Sequence, residues 1–175
     1  HLYRGDSEQY NFNVVGIGRE PGSLVASSPG KGLSTGLILS QYTELQDGQY
    51  LLAGDRNTAN SWVTDGLPSG VLRRWSRDWF LSPTGGLADA WLTFDFDDAG
   101  LAYSAGVEYD VLYRADTTGA FERLNLTGTF DNNQLAFVVG DGLLGEGTYT
   151  LAMVPEPGSL LLLAMALGAV LLMRV

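Results

Sequence analysis

Arg73, Trp75, Arg77 and Trp79 alternate through the run VLRRWSRDWFL. On an extended strand, every second side chain points the same way. The spacing therefore predicts a ladder of guanidinium and indole groups on one face. Indole faces can stack on the CH groups of sugar rings, and guanidinium pairs with carboxylates. Together they offer chemistry for an anionic polysaccharide. The same residues also suit a core, with arginine stacked on tryptophan and aromatics paired across strands. Trp62 and Trp91 complete the tryptophan set.

The stretch DFDDAG gathers Asp95, Asp97 and Asp98. Closely spaced carboxylates are hard oxygen ligands, so calcium is the one metal they suggest, without the distal Glu of a helix-loop-helix calcium loop. Asp and Gly equally favour a turn after a strand. Glu108, Asp110 and Glu122 match a glycosidase carboxylate pair by residue type alone. The chain has no cysteine, and its one histidine is His1. That removes thiol nucleophiles, cysteine zinc sites and any triad built on a well-held imidazole. A non-enzymatic protein with no resident cofactor, calcium apart, is the expectation.

These side chains need strands to position them. Apolar runs separated by Gly, Asp and Asn recur at YNFNVVGI, TGLILS, QYLLAG, VLRRWSRDWFL, DAWLTFDF, VEYDVLYRA, AFERLNL, QLAFVVG and GTYTLAM. Several alternate with period two. Val107, Tyr109, Val111 and Tyr113 lie on one face, opposite Glu108, Asp110 and Arg114. Ala90, Leu92, Phe94 and Phe96 oppose Trp91, Thr93 and Asp95. The pattern predicts antiparallel sheets with one buried and one wet face. ADTTGAF reads as a hairpin turn, and residues 19–36, rich in Gly, Ser and Pro, as one long loop. The fold class expected is all-β: a two-sheet antiparallel β-sandwich of jelly-roll or immunoglobulin-like type, with a C-terminal hydrophobic helix. Residues 1–153 form the sandwich and 154–175 the tail.

Net charge is −10, and all 20 acidic residues lie within residues 1–157, ahead of the apolar run. Such a field repels phosphate backbones, which argues against nucleic acid as a partner. The chain opens on His1 without an apolar leader, as expected of a processed or excised chain.

NFNVVGIGRE, DGQYLLAGDRN and VLRRWSRDWFLSPTG together resemble a β-rich domain of bacterial cell-surface proteins of unknown function. The resemblance spans residues 10–153 and implies location and architecture, with no catalytic signature.

The tail reads VPEPGSLLLLAMALGAVLLMRV. Leu160 to Met173 are apolar without a charge, and a helix of that length spans roughly 21 Å at about 1.5 Å per residue. This is short of a bilayer core of about 30 Å. Pro155 and Pro157 uncouple the run from the last strand. The positive-inside tendency puts Arg174 in the cytoplasm and the acidic domain outside. Pro155, Glu156 and Pro157, the short helix and Arg174 closely resemble the PEP-CTERM sorting signal of Gram-negative bacteria, ending here in Arg-Val instead of a basic cluster. The resemblance implies an exosortase substrate that passes transiently through the inner membrane to the cell surface or extracellular matrix. The expected role there is structural or adhesive, with biofilm exopolysaccharide or self-association as the contacts. The alternative is a carbohydrate-binding module recognising exopolysaccharide through Arg73, Trp75, Arg77 and Trp79.

Overall fold

The computed structural model describes residues 9–29, 35–140 and 142–156. The chain forms two antiparallel sheets packed face to face. The larger contains β1 (Phe12–Glu20), β2 (Ser23–Val25), β5 (Tyr50–Asp55), β6 (Trp62–Val63), β7 (Arg73–Trp75), β8 (Trp79–Thr84), β10 (Glu108–Arg114), β11 (Glu122–Arg123) and β14 (Gly147–Val154). Its main path runs β11-β10-β14-β8-β5-β1-β2, with β7 beside β14 and β6 beside β7. The smaller sheet, ordered β12-β13-β9-β4-β3, contains β3 (Ser27–Pro29), β4 (Leu37–Ser40), β9 (Ala90–Asp95), β12 (Thr129–Asp131) and β13 (Gln134–Val139). One helical turn, α1 (Phe96–Ala99), follows β9.

Period-two alternation builds the core. Leu37, Leu39, Leu92, Phe94, Leu135 and Phe137 point inward from the smaller sheet. They meet Val15, Ile17, Leu51, Trp75, Trp79 and Leu151 of the larger. Trp75 and Trp79 are fully buried and meet edge to face at 5.3 Å, with Phe94 packed against both.

All nine apolar runs contribute strands, and β10 and β11 pair across the expected hairpin. Three expectations need correction. Residues 19–36 are not one long loop, because β2 folds back on β1 and β3 pairs with β4, carrying the chain between sheets. The run VLRRWSRDWFL is two strands, interrupted at Ser76–Asp78. There the Thr150 hydroxyl lies 3.1 and 2.8 Å from the carbonyls of Trp75 and Arg77. Ser76 is drawn away by backbone and side-chain bonds to residues 59–61.

The third correction concerns the outer face of β10, which is not wet. Asp110 and Leu112 are buried, and Leu112 packs with Phe121, Ala152 and Val71. The guanidiniums of Arg74 and Arg114 lie over the Phe121 ring, at 5.3 and 4.3 Å from its centre. β14 is consequently buried along its whole length.

Tyr149 gives the fold a defined alkaline limit. Its hydroxyl lies 2.9 Å from the Gly145 carbonyl and accepts from the Gly145 N–H at 2.9 Å. Burial pushes its pKa well above the ordinary value of 10.0. A folded-state pKa above the unfolded one stabilises fully below pH 10 and is lost as pH rises beyond it. Burial raises Tyr10 and Tyr109 in the same direction. The part of the phenolate absorbance that belongs to these buried tyrosines is expected to appear only together with loss of circular dichroism above pH 10.

Candidate functional site

The residues picked out by sequence do not converge. Trp75 and Trp79 face the core and present no indole surface to a sugar. The odd-numbered face of that run is thus the inward one, because two indoles bury far more apolar area than they would cover at the surface. Arg77 is buried between them in sequence, ion-paired to the buried Asp55. Arg73 alone is exposed, at the start of β7. As folded, the four residues form no platform for a glycan. Asp110 accepts from Arg123 at 2.9 Å and from the backbone N–H groups of Asn125 and Leu126, so it anchors the β11 hairpin. Pro155 and Glu156 follow β14 directly, while Pro157, Arg174 and the apolar run between them lie outside the described residues. Among the described residues, no helix is long and apolar enough to cross a membrane.

The three aspartates each serve a separate hydrogen bond. Asp95 caps α1, accepting from the Asp98 N–H at 2.9 Å, and its other oxygen accepts from Gln134 Nε2 at 2.7 Å. Asp97 accepts from Asn133 Nδ2, and Asp98 from the Gly36 N–H at 2.9 Å. Among the described residues, no group of three acidic, histidine or cysteine side chains is placed to hold a metal. Asp95→Ala is expected to cost about 0.5–2 kcal/mol, as loss of a helix cap does. Millimolar calcium should leave the melting temperature of both proteins unchanged.

These bonds frame the outer face of the smaller sheet. Cross-strand register sets Ser40 beside Trp91 beside Val138, and Ile38 beside Thr93 beside Ala136 beside Thr129. Gln134 sits opposite Asp131, across a turn whose central residues Asn132 and Asn133 have φ of 46° and 60°. Asparagine tolerates that left-handed geometry, which a two-residue hairpin turn requires.

The result is a shallow groove of about 360 Å³ lined by Ser40, Trp91, Thr93, Thr129, Asp131, Gln134 and Ala136. Trp91 is half-buried, and Tyr42 meets it edge-on at 5.6 Å. Tyr42 is 53% exposed. Its loop is fixed by Asp89, which accepts from the Thr43 N–H at 3.1 Å and the Thr43 hydroxyl at 2.8 Å. Of the four tryptophans, Trp91 alone lies on an outer sheet face; Trp62 packs on Trp75 and Tyr109.

No family model matches the chain, and no curated protein or solved structure matches it. The site therefore stands on its geometry.

Another concavity, of about 230 Å³, lies at one end of the sandwich between Tyr103, Glu108, Tyr109, Thr127 and Phe130. Its rings stack on one another, Phe130 on Tyr103 at 3.8 Å and Tyr103 on Tyr109 at 5.3 Å. Ring faces used in this way are not offered to a ligand. The Trp91 groove differs because its aromatic pair meets at 78°, edge to face, and is not stacked.

Sequence reading named Trp91 but could not separate it from the other tryptophans. The signal was parity: Trp91 opposes the Ala90, Leu92 and Phe94 core face, whereas Trp75 and Trp79 have charged neighbours on their own parity. Tyr42, Thr129 and Gln134 carried no signal, because they meet only through pairing of distant strands.

Proposed function

We propose that this protein is an exported, non-catalytic β-sandwich of the bacterial cell surface or extracellular matrix, adhesive through binding of polysaccharide. One observation carries the reading: the outer face of the smaller sheet is an open groove in which Trp91, met by Tyr42, lies with Ser40, Thr93, Thr129 and Gln134. An aromatic face beside several hydroxyl and amide groups suits a sugar ring, apolar on its faces and polar at its rim. Over β10 and β14 the opposite outer face is covered by Phe121, Val71 and the arginines stacked on it. Non-catalytic action fits a chain with no cysteine and a single histidine at position 1.

Adhesion by edge-to-edge self-assembly is the weaker form of this role. The sheets end in β2, β11, β3 and β12, each of only two or three residues. Short edge strands are how β proteins discourage pairing between molecules. The winding is jelly-roll-like in our reading, since the chain passes repeatedly between sheets and leaves non-consecutive neighbours such as β14 and β8 or β9 and β4.

Delivery rests on the sequence of the tail: Pro155-Glu156-Pro157, a short apolar run and Arg174 act as an exosortase-read signal at the inner membrane. Replacing Pro155, Glu156 and Pro157 with alanine, in a host that carries exosortase, is expected to leave an uncleaved inner-membrane form. Normal processing and release of that variant would contradict the assignment. For the adhesive role, the purified protein should be retarded in gels containing a soluble polysaccharide, and Trp91→Ala should not.

A further inference from the structure

Charge is distributed unevenly between the two sheets. Every arginine among the described residues belongs to the larger sheet or to a segment leading out of it. The five strands of the smaller sheet contain no basic residue. The chain's one lysine, Lys31, lies outside the described residues. Moreover, the arginines are largely committed. Arg77 pairs with Asp55, Arg56 and Arg114 share Asp78 at 2.8 Å, Arg123 holds Asp110, and Arg19 bridges Glu44 and Asp47.

Resting on the polysaccharide reading above, we infer that the Trp91 groove takes an uncharged polysaccharide and rejects uronate- or sulfate-bearing chains. A carboxylate entering the groove meets Asp131 at one end and no described cation on its walls. Removing that charge from water without a partner is unfavourable, and like charges brought together across an interface repel. The field of a chain with net charge −10 acts in the same direction. Neutral sugar hydroxyls are both donors and acceptors, as are the hydroxyls of Ser40, Thr93 and Thr129. The groove crosses from β4 to β12 over three inter-strand gaps, roughly 14 Å at about 4.8 Å each, long enough for a short oligosaccharide segment.

This assignment reverses the sequence expectation of an anionic ligand on an arginine-rich face, and it predicts a distinct salt response. Contacts between exposed charges weaken as the screening length shrinks from about 10 Å at 0.1 M to about 3 Å at 1 M salt. Stacking and neutral hydrogen bonds do not depend on that length.

Affinity electrophoresis of the purified protein and Trp91→Ala, followed by titration in low and high salt, tests the inference. The probes are hydroxyethylcellulose, laminarin and mannan as neutral polymers, with alginate and polygalacturonate as acidic ones. The expected result is retardation by at least one neutral polymer, by neither acidic one, with affinity changed less than about twofold by salt and lost in Trp91→Ala. Preference for an acidic polymer that is abolished by Trp91→Ala would overturn the uncharged-ligand assignment while leaving the groove in place. Acidic or neutral binding that survives Trp91→Ala would overturn both, as would binding of none of the five.

Discussion

Asp55→Ala is expected to destabilise the protein by about 3–5 kcal/mol, the usual result of stripping one partner from a buried ion pair. Asp55 is fully buried at the end of β5. Its carboxylate accepts from Arg77, from Asn13 Nδ2 at 3.0 Å, and from the Asn57 N–H. Arg77 is itself only 7% exposed and donates to the Thr58 carbonyl, so it cannot swing into water when Asp55 is removed. Its Nε is already buried without a hydrogen-bond partner. At about 2–4 °C per kcal/mol for a domain of this size, the melting temperature should fall on the order of 10 °C. Replacing both partners by apolar residues removes the stranded charge. Asp55→Ala combined with Arg77→Met should therefore melt above Asp55→Ala alone, and a double variant that melts lower would contradict this account. Thermal denaturation followed by circular dichroism reads both effects.

Trp91→Ala should do the opposite: little to stability and much to binding. Its indole is half-buried on an outer face and contributes to no part of the shared core. A tryptophan at the centre of a recognition surface contributes at least about 2 kcal/mol, roughly thirtyfold in affinity. Trp75→Ala provides the contrast. It empties a fully buried site and should cost about 3–5 kcal/mol of stability, with no direct effect on polysaccharide affinity in whatever protein remains folded. Tyr42→Ala should weaken binding less than Trp91→Ala, since Trp91 lines the groove and Tyr42 only packs against it.

The contrast also shows what was legible in the sequence. Strands with a simple apolar-polar alternation, such as β9 and β13, were readable because one face is core and the other solvent. The outer face of β10 was not, since its cover is assembled from Phe121, Val71 and arginines lying far off in sequence or beyond a turn. Period two says that a face differs from its opposite; it does not say which of two polar-looking faces another segment will cover. Arg73 to Trp79 misled for that reason. Charged residues sharing parity with indoles suggested exposure, yet Asp55, 22 residues earlier on another strand, supplies Arg77 with a buried counter-ion. The β12–β13 hairpin was available locally, in Asn132-Asn133 between TFD and QLAF, though three residues make a faint strand. The groove itself was out of reach, because Ser40, Trp91, Gln134 and Thr129 come from four strands joined only by register. For the aspartates, composition indicated a turn and the structure supplied its purpose, with Asp95 capping α1 and holding Gln134.

Fluorine NMR of protein labelled with 5-fluorotryptophan is the most direct measurement of the central claim. The chain has four tryptophans, so each site can be assigned by single substitution and followed while a neutral polysaccharide is added. The account predicts that the Trp91 signal shifts with added ligand while those of Trp62, Trp75 and Trp79 stay in place. A bound polysaccharide that leaves Trp91 unmoved would contradict it.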